Sequence, residues 1–279
     1  MKAPHMKVFA ARTGAAALLS LGLIAGLAGA PAGAQTLSRP QAPTSTLSYT
    51  VLGDSYSAGS GGGAEAGACA QSPFGYGNVA AAATGATLTN LACAGFTSDQ
   101  VRTLEVPLVP ANTQLVTLTV GGNDVGWTTA VAACLVTSST SSACKAAVAN
   151  ALYQMTQLPK RITNLVKAIK AKAPGARVLF LGYPRLFETA NMAAAGFTAD
   201  QVNGAKTVND ATNLLNAVIA LSAVSNRSGF IPVAPRFAGH SFPSAAPWLN
   251  GPFGPSPFAF HPNATGYELG YAAAVEAYL

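Results

Sequence analysis

The chain has 279 residues, of which 50% are hydrophobic, 9% charged and 8% aromatic, with a formal net charge of +6. That balance excludes intrinsic disorder, and the length suits one substantial domain with its own core. The apolar residues lean on alanine and form no series of membrane-length runs, which excludes a polytopic membrane protein.

Residues 1–34 have the parts of a secretory signal. Lys2, Lys7 and Arg12 give a basic start, an apolar run follows from Ala15 to about Ala28, and Ala32-Gly33-Ala34 offers a small-x-small cleavage pattern. The apolar run is shorter than the ~20 residues a spanning helix needs. Cleavage after Ala34 removes three basic residues, which lowers the net charge from +6 to +3. Residues 35–46, rich in Pro, Ser and Thr, read as an exposed lead-in to a single domain over 47–279. The clustered bases Lys160, Arg161, Lys167, Lys170 and Lys172 read as a solvated helix face, so no nucleic-acid partner is expected.

Strand-like runs alternate with alanine-rich helical stretches through the rest of the chain. Strands are expected at Leu47–Leu52, Ala86–Leu91, Leu115–Val120, Arg177–Leu181 and Phe230–Val233. Helices are expected at Gly75–Ala83, Ser98–Leu104, Val125–Leu135, Ala143–Lys172 and Val208–Asn226, with Pro159 breaking or kinking the fourth. This alternation predicts an α/β fold: a three-layer α/β/α sandwich around a central, mostly parallel, five-stranded sheet. Such sheets carry their sites at the carboxyl ends of the strands. Pro232–Pro262, with eight prolines, reads as a long ordered loop near such a site.

Four cysteines, Cys69, Cys93, Cys134 and Cys144, suit two disulfides in an exported chain. Three pairings are possible; order and loop size favour Cys69–Cys93 and Cys134–Cys144. No Cys-x-x-Cys or histidine cluster supports a metal site.

Two strands run into chemically capable turns. The first enters Gly53-Asp54-Ser55-Tyr56-Ser57, where a serine on a tight turn presents its hydroxyl; a plain solvated turn is the simpler reading. The third enters Gly121-Gly122-Asn123-Asp124, where Asp124 suits a helix cap and Asn123 an outward amide. Serine needs a base, and two histidines follow the signal segment: His240 and His261, the latter in Phe258-Ala259-Phe260-His261-Pro262-Asn263.

G-D-S-Y-S at Ser55, G-G-N-D at Asn123 and H-P-N at His261, in that order, resemble the GDSL/SGNH hydrolases, closest to the secreted actinobacterial lipase and esterase group. The resemblance covers essentially the whole chain after the signal. It implies Ser55 as nucleophile and His261 as general base, then acid. The implied oxyanion hole joins the amides of Ser55 and Gly95 to the side chain of Asn123. It implies no cofactor and no metal.

The family's usual aspartate, three residues before the histidine, is here Phe258, and nothing acidic lies between Arg236 and Tyr267. A Ser-His dyad oriented by the carbonyl of Phe258 or Ala259 is therefore favoured; a carboxylate from elsewhere and the Ser256 hydroxyl are the alternatives. His240 reads as structural. Trp248, Phe242, Phe253 and Phe258 suit an acyl-chain groove as well as plain packing.

The expected function is a secreted carboxylic-ester hydrolase, a monomer acting on acyl esters or lipids with transient contact at lipid interfaces. A phospholipase of the A type, a polysaccharide acetylesterase and a non-catalytic exported binding protein are the rivals.

Overall fold

The computed structural model describes residues 46–278. The expected signal segment, and the lead-in save for Thr46, lie outside the described residues. Five strands form where the apolar runs predict them: β1 (Ser48–Gly53), β2 (Thr87–Asn90), β3 (Leu115–Thr119), β4 (Arg177–Leu181) and β5 (Gly229–Ile231). All four pairings are parallel, in the order β2-β1-β3-β4-β5. Every residue of β3 is buried, and so is all of β1 after Ser48, as expected for central strands covered on both faces.

The helices are α1 (Ser55–Ala58), α2 (Tyr76–Thr84), α3 (Ser98–Gln100), α4 (Trp127–Ala132), α5 (Ser142–Lys172), α6 (Thr189–Met192), α7 (Ala199–Ser225) and α8 (Ala273–Glu276). Wider turns extend three of the helical segments, at Val101–Glu105, Ala133–Thr137 and Gly266–Ala272. Helix α5 packs on α3, α4 and α7, while α2 packs on the C-terminal segment from Gly266. These two groups are the outer layers of an α/β/α sandwich.

Two helical expectations need correction. Of the break or kink expected at Pro159, the break does not occur, and α5 runs through it as one helix. It lies on the exposed face, and the opposite stripe (Ala151, Met155, Leu158, Ile162, Leu165, Ile169) is buried on both sides of it. Burial of several such side chains, about 1.5–3 kcal/mol each, outweighs the roughly 3 kcal/mol cost of an interior proline. Helix α7 begins nine residues earlier than Val208, at Ala199, under a capping box in which Thr198 and Gln201 satisfy each other's backbone amides. Its Gly204 meets the chain at Cys134 so closely that a Cβ would lie 2.2 Å from the Cys134 carbonyl oxygen.

The cysteines pair as Cys69–Cys93 and Cys134–Cys144. Strand β1 continues to β2 on one side, and β3 then returns to its other side. The order of strands thus reverses about β1, and a crevice opens at its carboxyl end.

Candidate active site

Three adjacent strands deliver their carboxyl ends to that crevice. Strand β1 ends at Gly53, whose φ of +119° and Cβ position, 2.2 Å from the Thr119 carbonyl oxygen, leave room for glycine alone. Asp54 then caps α1. Its Oδ1 accepts from the Tyr56 amide at 3.0 Å and the Thr119 hydroxyl at 2.7 Å, and its Oδ2 accepts from the Tyr183 hydroxyl. Burial raises the Asp54 pKa to about 6, against the pull of these donors. Ser55 is the first helical residue and is buried.

His261 reaches Ser55 from the far end of the chain. Its Nε2 lies 2.7 Å from the Ser55 Oγ, and its Nδ1 lies 3.1 Å from the Ala259 carbonyl oxygen. A carbonyl only accepts, so Nδ1 carries the proton and Nε2 presents its lone pair to the serine. The Phe258 carbonyl, the other expected orienting group, accepts from the His261 backbone amide at 3.2 Å. The Ser256 hydroxyl accepts from the Phe258 amide. Burial lowers the His261 pKa to about 4, opposed by the carbonyls of Ala259 and Phe258. The imidazole is therefore neutral at pH 7 and free to accept a proton.

Strand β2 leads to Gly95, held at φ +84°. The Cys69–Cys93 disulfide anchors this loop two residues earlier, and the Cys93 amide donates to the Gly53 carbonyl at 3.0 Å. Strand β3 leads to Asn123, whose Nδ2 donates to the Phe96 carbonyl at 3.0 Å. The backbone amides of Ser55 and Gly95 have no hydrogen-bond partner among the described residues. Asp124 does not cap α4, whose N-cap is Gly126. It accepts instead from the Ser98 amide and hydroxyl and from Arg161 at 3.2 Å, bracing the Gly95 loop against the Asn123 turn and α5. Arg161 thus departs from the solvated basic face.

Sequence reasoning missed Glu105. Its Oε2 accepts from the Gly53 amide at 2.7 Å, and burial raises its pKa to about 9, so the carboxyl is neutral at pH 7. No local pattern marks it. It became visible only when the segment after α3 folded beneath β1.

Among the aromatics, Phe242, Phe253 and Phe258 border a trough beside His261. Trp248 does not; it stacks on His240 at 3.9 Å between ring centres, and the His240 Nδ1 meets the Ala246 carbonyl at 2.8 Å. Among the described residues no His, Cys, Asp or Glu cluster has the arrangement of a metal site.

Residues 51–269 match the GDSL-like Lipase/Acylhydrolase family. The chain belongs to that family. It is a carboxylic ester hydrolase, and relatives it resembles carry lipase names. It is similar to the Lipase of Streptomyces rimosus, 34% identical over 227 residues, 80% of this chain and 83% of that one. Among solved structures it is similar to the extracellular lipase from Streptomyces rimosus, with 33% identity and a TM-score of 0.76 over 83% of this chain and 99% of the other. The phospholipase A1 from Streptomyces albidoflavus NA297 gives 32% identity and a TM-score of 0.76 over the same shares.

Proposed function

We propose that this GDSL-family hydrolase cleaves acyl lipids outside the cell through a Ser55–His261 dyad. The observation that carries the reading is the 2.7 Å approach of the Ser55 Oγ to the His261 Nε2, between residues 206 positions apart. Ser55 attacks the ester carbonyl while His261 takes its proton. His261 then returns that proton to the departing alcohol, and water releases the acyl group by the same route. The Ala259 carbonyl fixes the tautomer in place of a carboxylate. The amides of Ser55 and Gly95 and the Asn123 side chain stabilise the oxyanion.

Secretion is supported by the basic-apolar-small pattern of residues 1–34, by the two disulfides and by the extracellular lipase among the relatives. Phospholipase A1 activity is a second reading, favoured by the similarity to the Streptomyces albidoflavus enzyme, and it uses the same groups.

The test is turnover of nitrophenyl esters, a triglyceride, a phospholipid and an acetylated polysaccharide by the parent and by Ser55→Ala. The variant should lose at least about a thousandfold in kcat with an unchanged fold. A Ser55→Ala protein that turns over at the parent rate would remove Ser55 as the nucleophile.

A further inference from the structure

Glu105 is a buried carboxyl that the dyad does not use. It ends the turn that extends α3 and packs against β1. Strand β2 parts from β1 just where the active-site turn begins, its ladder ending at Asn90 opposite Val51. Beyond that point the Leu91 amide still reaches the Val51 carbonyl at 2.9 Å, and the Cys93 amide reaches the Gly53 carbonyl at 3.0 Å. The Gly53 amide finds no strand carbonyl there. The Glu105 Oε2 takes that place at 2.7 Å. The Cys93 amide acts on the same carboxyl, so one side chain serves both diverging segments. Its Oε1 is buried and has no hydrogen-bond partner among the described residues. A buried polar atom left unpaired costs more than one neutral hydrogen bond returns, so the bond to Gly53 does not by itself account for a carboxyl here. The titratable groups facing it are Asp54 and the Tyr76 hydroxyl. Cations on the neighbouring elements are engaged elsewhere, Arg102 with Asp99, Arg161 with Asp124 and Lys170 with the Ala176 carbonyl, while Lys160 and Lys167 are exposed.

We propose that Glu105 is a positioning residue for ester hydrolysis: wedged where β1 and the chain after β2 part, its carboxyl sets the separation of the Ser55 and Gly95 amides. This rests on the oxyanion assignment proposed above and names what holds its two backbone donors apart. Ser55 stands two residues beyond Gly53, and Gly95 two residues beyond Cys93, so the wedge acts at the same distance along both segments. Two amides that must converge on one oxygen tolerate little displacement, since a shift of about 1 Å at a catalytic group can cost about a hundredfold in rate. The wedge works as a neutral group. Burial raises the Glu105 pKa to about 9, against the pull of the Gly53 amide, and Asp54 adds to the rise. As pH rises through about 9 the carboxyl ionises and becomes a second buried negative charge beside Asp54, with no cation paired to it among the described residues. That repulsion acts on the turn that carries Ser55.

Two substitutions separate the acceptor from the bulk: Glu105→Gln keeps both, and Glu105→Leu keeps only the bulk. In a pH-stat assay on ethyl butyrate at pH 7.5, Glu105→Gln should hold kcat within about threefold of the parent. Glu105→Leu should lose at least about tenfold in kcat with KM within about twofold. Inhibition by butaneboronic acid, whose tetrahedral serine adduct draws on the same donors, should weaken in Glu105→Leu by about the factor lost from kcat. A residue that only stabilises the fold would move neither reading in protein that circular dichroism shows to be native. Between pH 7.5 and 9.5 the parent kcat should fall with a midpoint near 9 while the protein stays folded, and Glu105→Gln should lack that fall. A folded Glu105→Leu with the parental kcat, an effect on KM alone, or the same alkaline fall in Glu105→Gln would overturn the assignment. If Glu105→Leu does not fold, the alkaline comparison of the parent with Glu105→Gln decides. Failure of the ester-hydrolase reading is a different result: no parent turnover, or turnover that survives Ser55→Ala.

Discussion

The buried imidazole makes an unusual demand on the acid limb of activity. His261 is a base only when neutral, and burial lowers its pKa to about 4 with no carboxylate beside Nδ1 to reverse the shift. At pH 5 a group titrating near 4 is still about 90% neutral, whereas an ordinary histidine titrating near 6.5 is about 3% neutral, a thirtyfold difference in active base. A stopped assay of kcat/KM on a short-chain nitrophenyl ester from pH 3.5 to 8 should show a plateau that falls only near pH 4. The same shift acts on stability. The folded pKa lies below the unfolded one, so the folded chain binds fewer protons, and this contribution is complete above about pH 6.5. It is lost as pH falls through about 4, amounting to about 3 kcal/mol for a shift of this size. Circular dichroism at each pH separates loss of base from loss of fold. His261→Gln should remove the histidine's share of the acid destabilisation along with activity. An inflection near pH 6–7 in a folded protein would refute the reasoning, because it would show that burial does not depress the His261 pKa.

Two further outcomes follow from neighbouring groups. If Asn123 has the proposed oxyanion role, Asn123→Ala should lower kcat by roughly 10²–10³ with KM little changed, because that role acts on charge that develops only in the transition state; a KM effect alone would reassign it to substrate binding. Glu105→Gln should be nearly neutral in thermal unfolding at pH 7. In the parent the raised Glu105 pKa contributes stability that is complete below about pH 4.5 and is lost as pH rises through about 9. The Gln variant should lack that component, and melting curves that decline in parallel from pH 7 to 9.5 would show that Glu105 is ionised in the fold.

The strands were legible because burial on both faces forces continuous apolar runs, and all five fall within two residues of their expected limits at each end. The Ser55, Asn123 and His261 turns were legible because each stands just after a strand or just before the final helix, in a motif whose order is itself informative. The start of α7 was not. Asp200, Gln201, Asn203 and Gly204 interrupt the apolar period there, and the reason for the glycine, the close approach to Cys134, exists only in the folded chain. Asp54 read as part of a motif, but its link to Tyr183 spans 129 residues and could not be inferred locally.

The missing carboxylate poses a physical question, because a triad acid does two things: it orients the imidazole and it stabilises the imidazolium. Here orientation is met by backbone. The Phe260 amide donates to the Asn250 carbonyl and the Asn250 amide to the His261 carbonyl, both at 2.8 Å. The Tyr56 hydroxyl, on the turn that carries Ser55, donates to the Phe260 carbonyl at 2.7 Å, and Phe260 is held at φ +63°. Ser55 and His261 are thereby fixed to each other through one tyrosine, whose ring also lies 4.9 Å from the imidazole. Charge stabilisation is only partly replaced: the Ala259 and Phe258 carbonyls raise the His261 pKa, but burial outweighs them and holds it near 4. Preorganisation can recover the geometric share of a triad's advantage, because that share is an entropy already spent in folding. On the proposed mechanism the electrostatic share then falls on the oxyanion side, where the proposed donors Ser55, Gly95 and Asn123 follow the ends of three adjacent strands, and Asn123 becomes more consequential than in an enzyme with an acid behind its histidine.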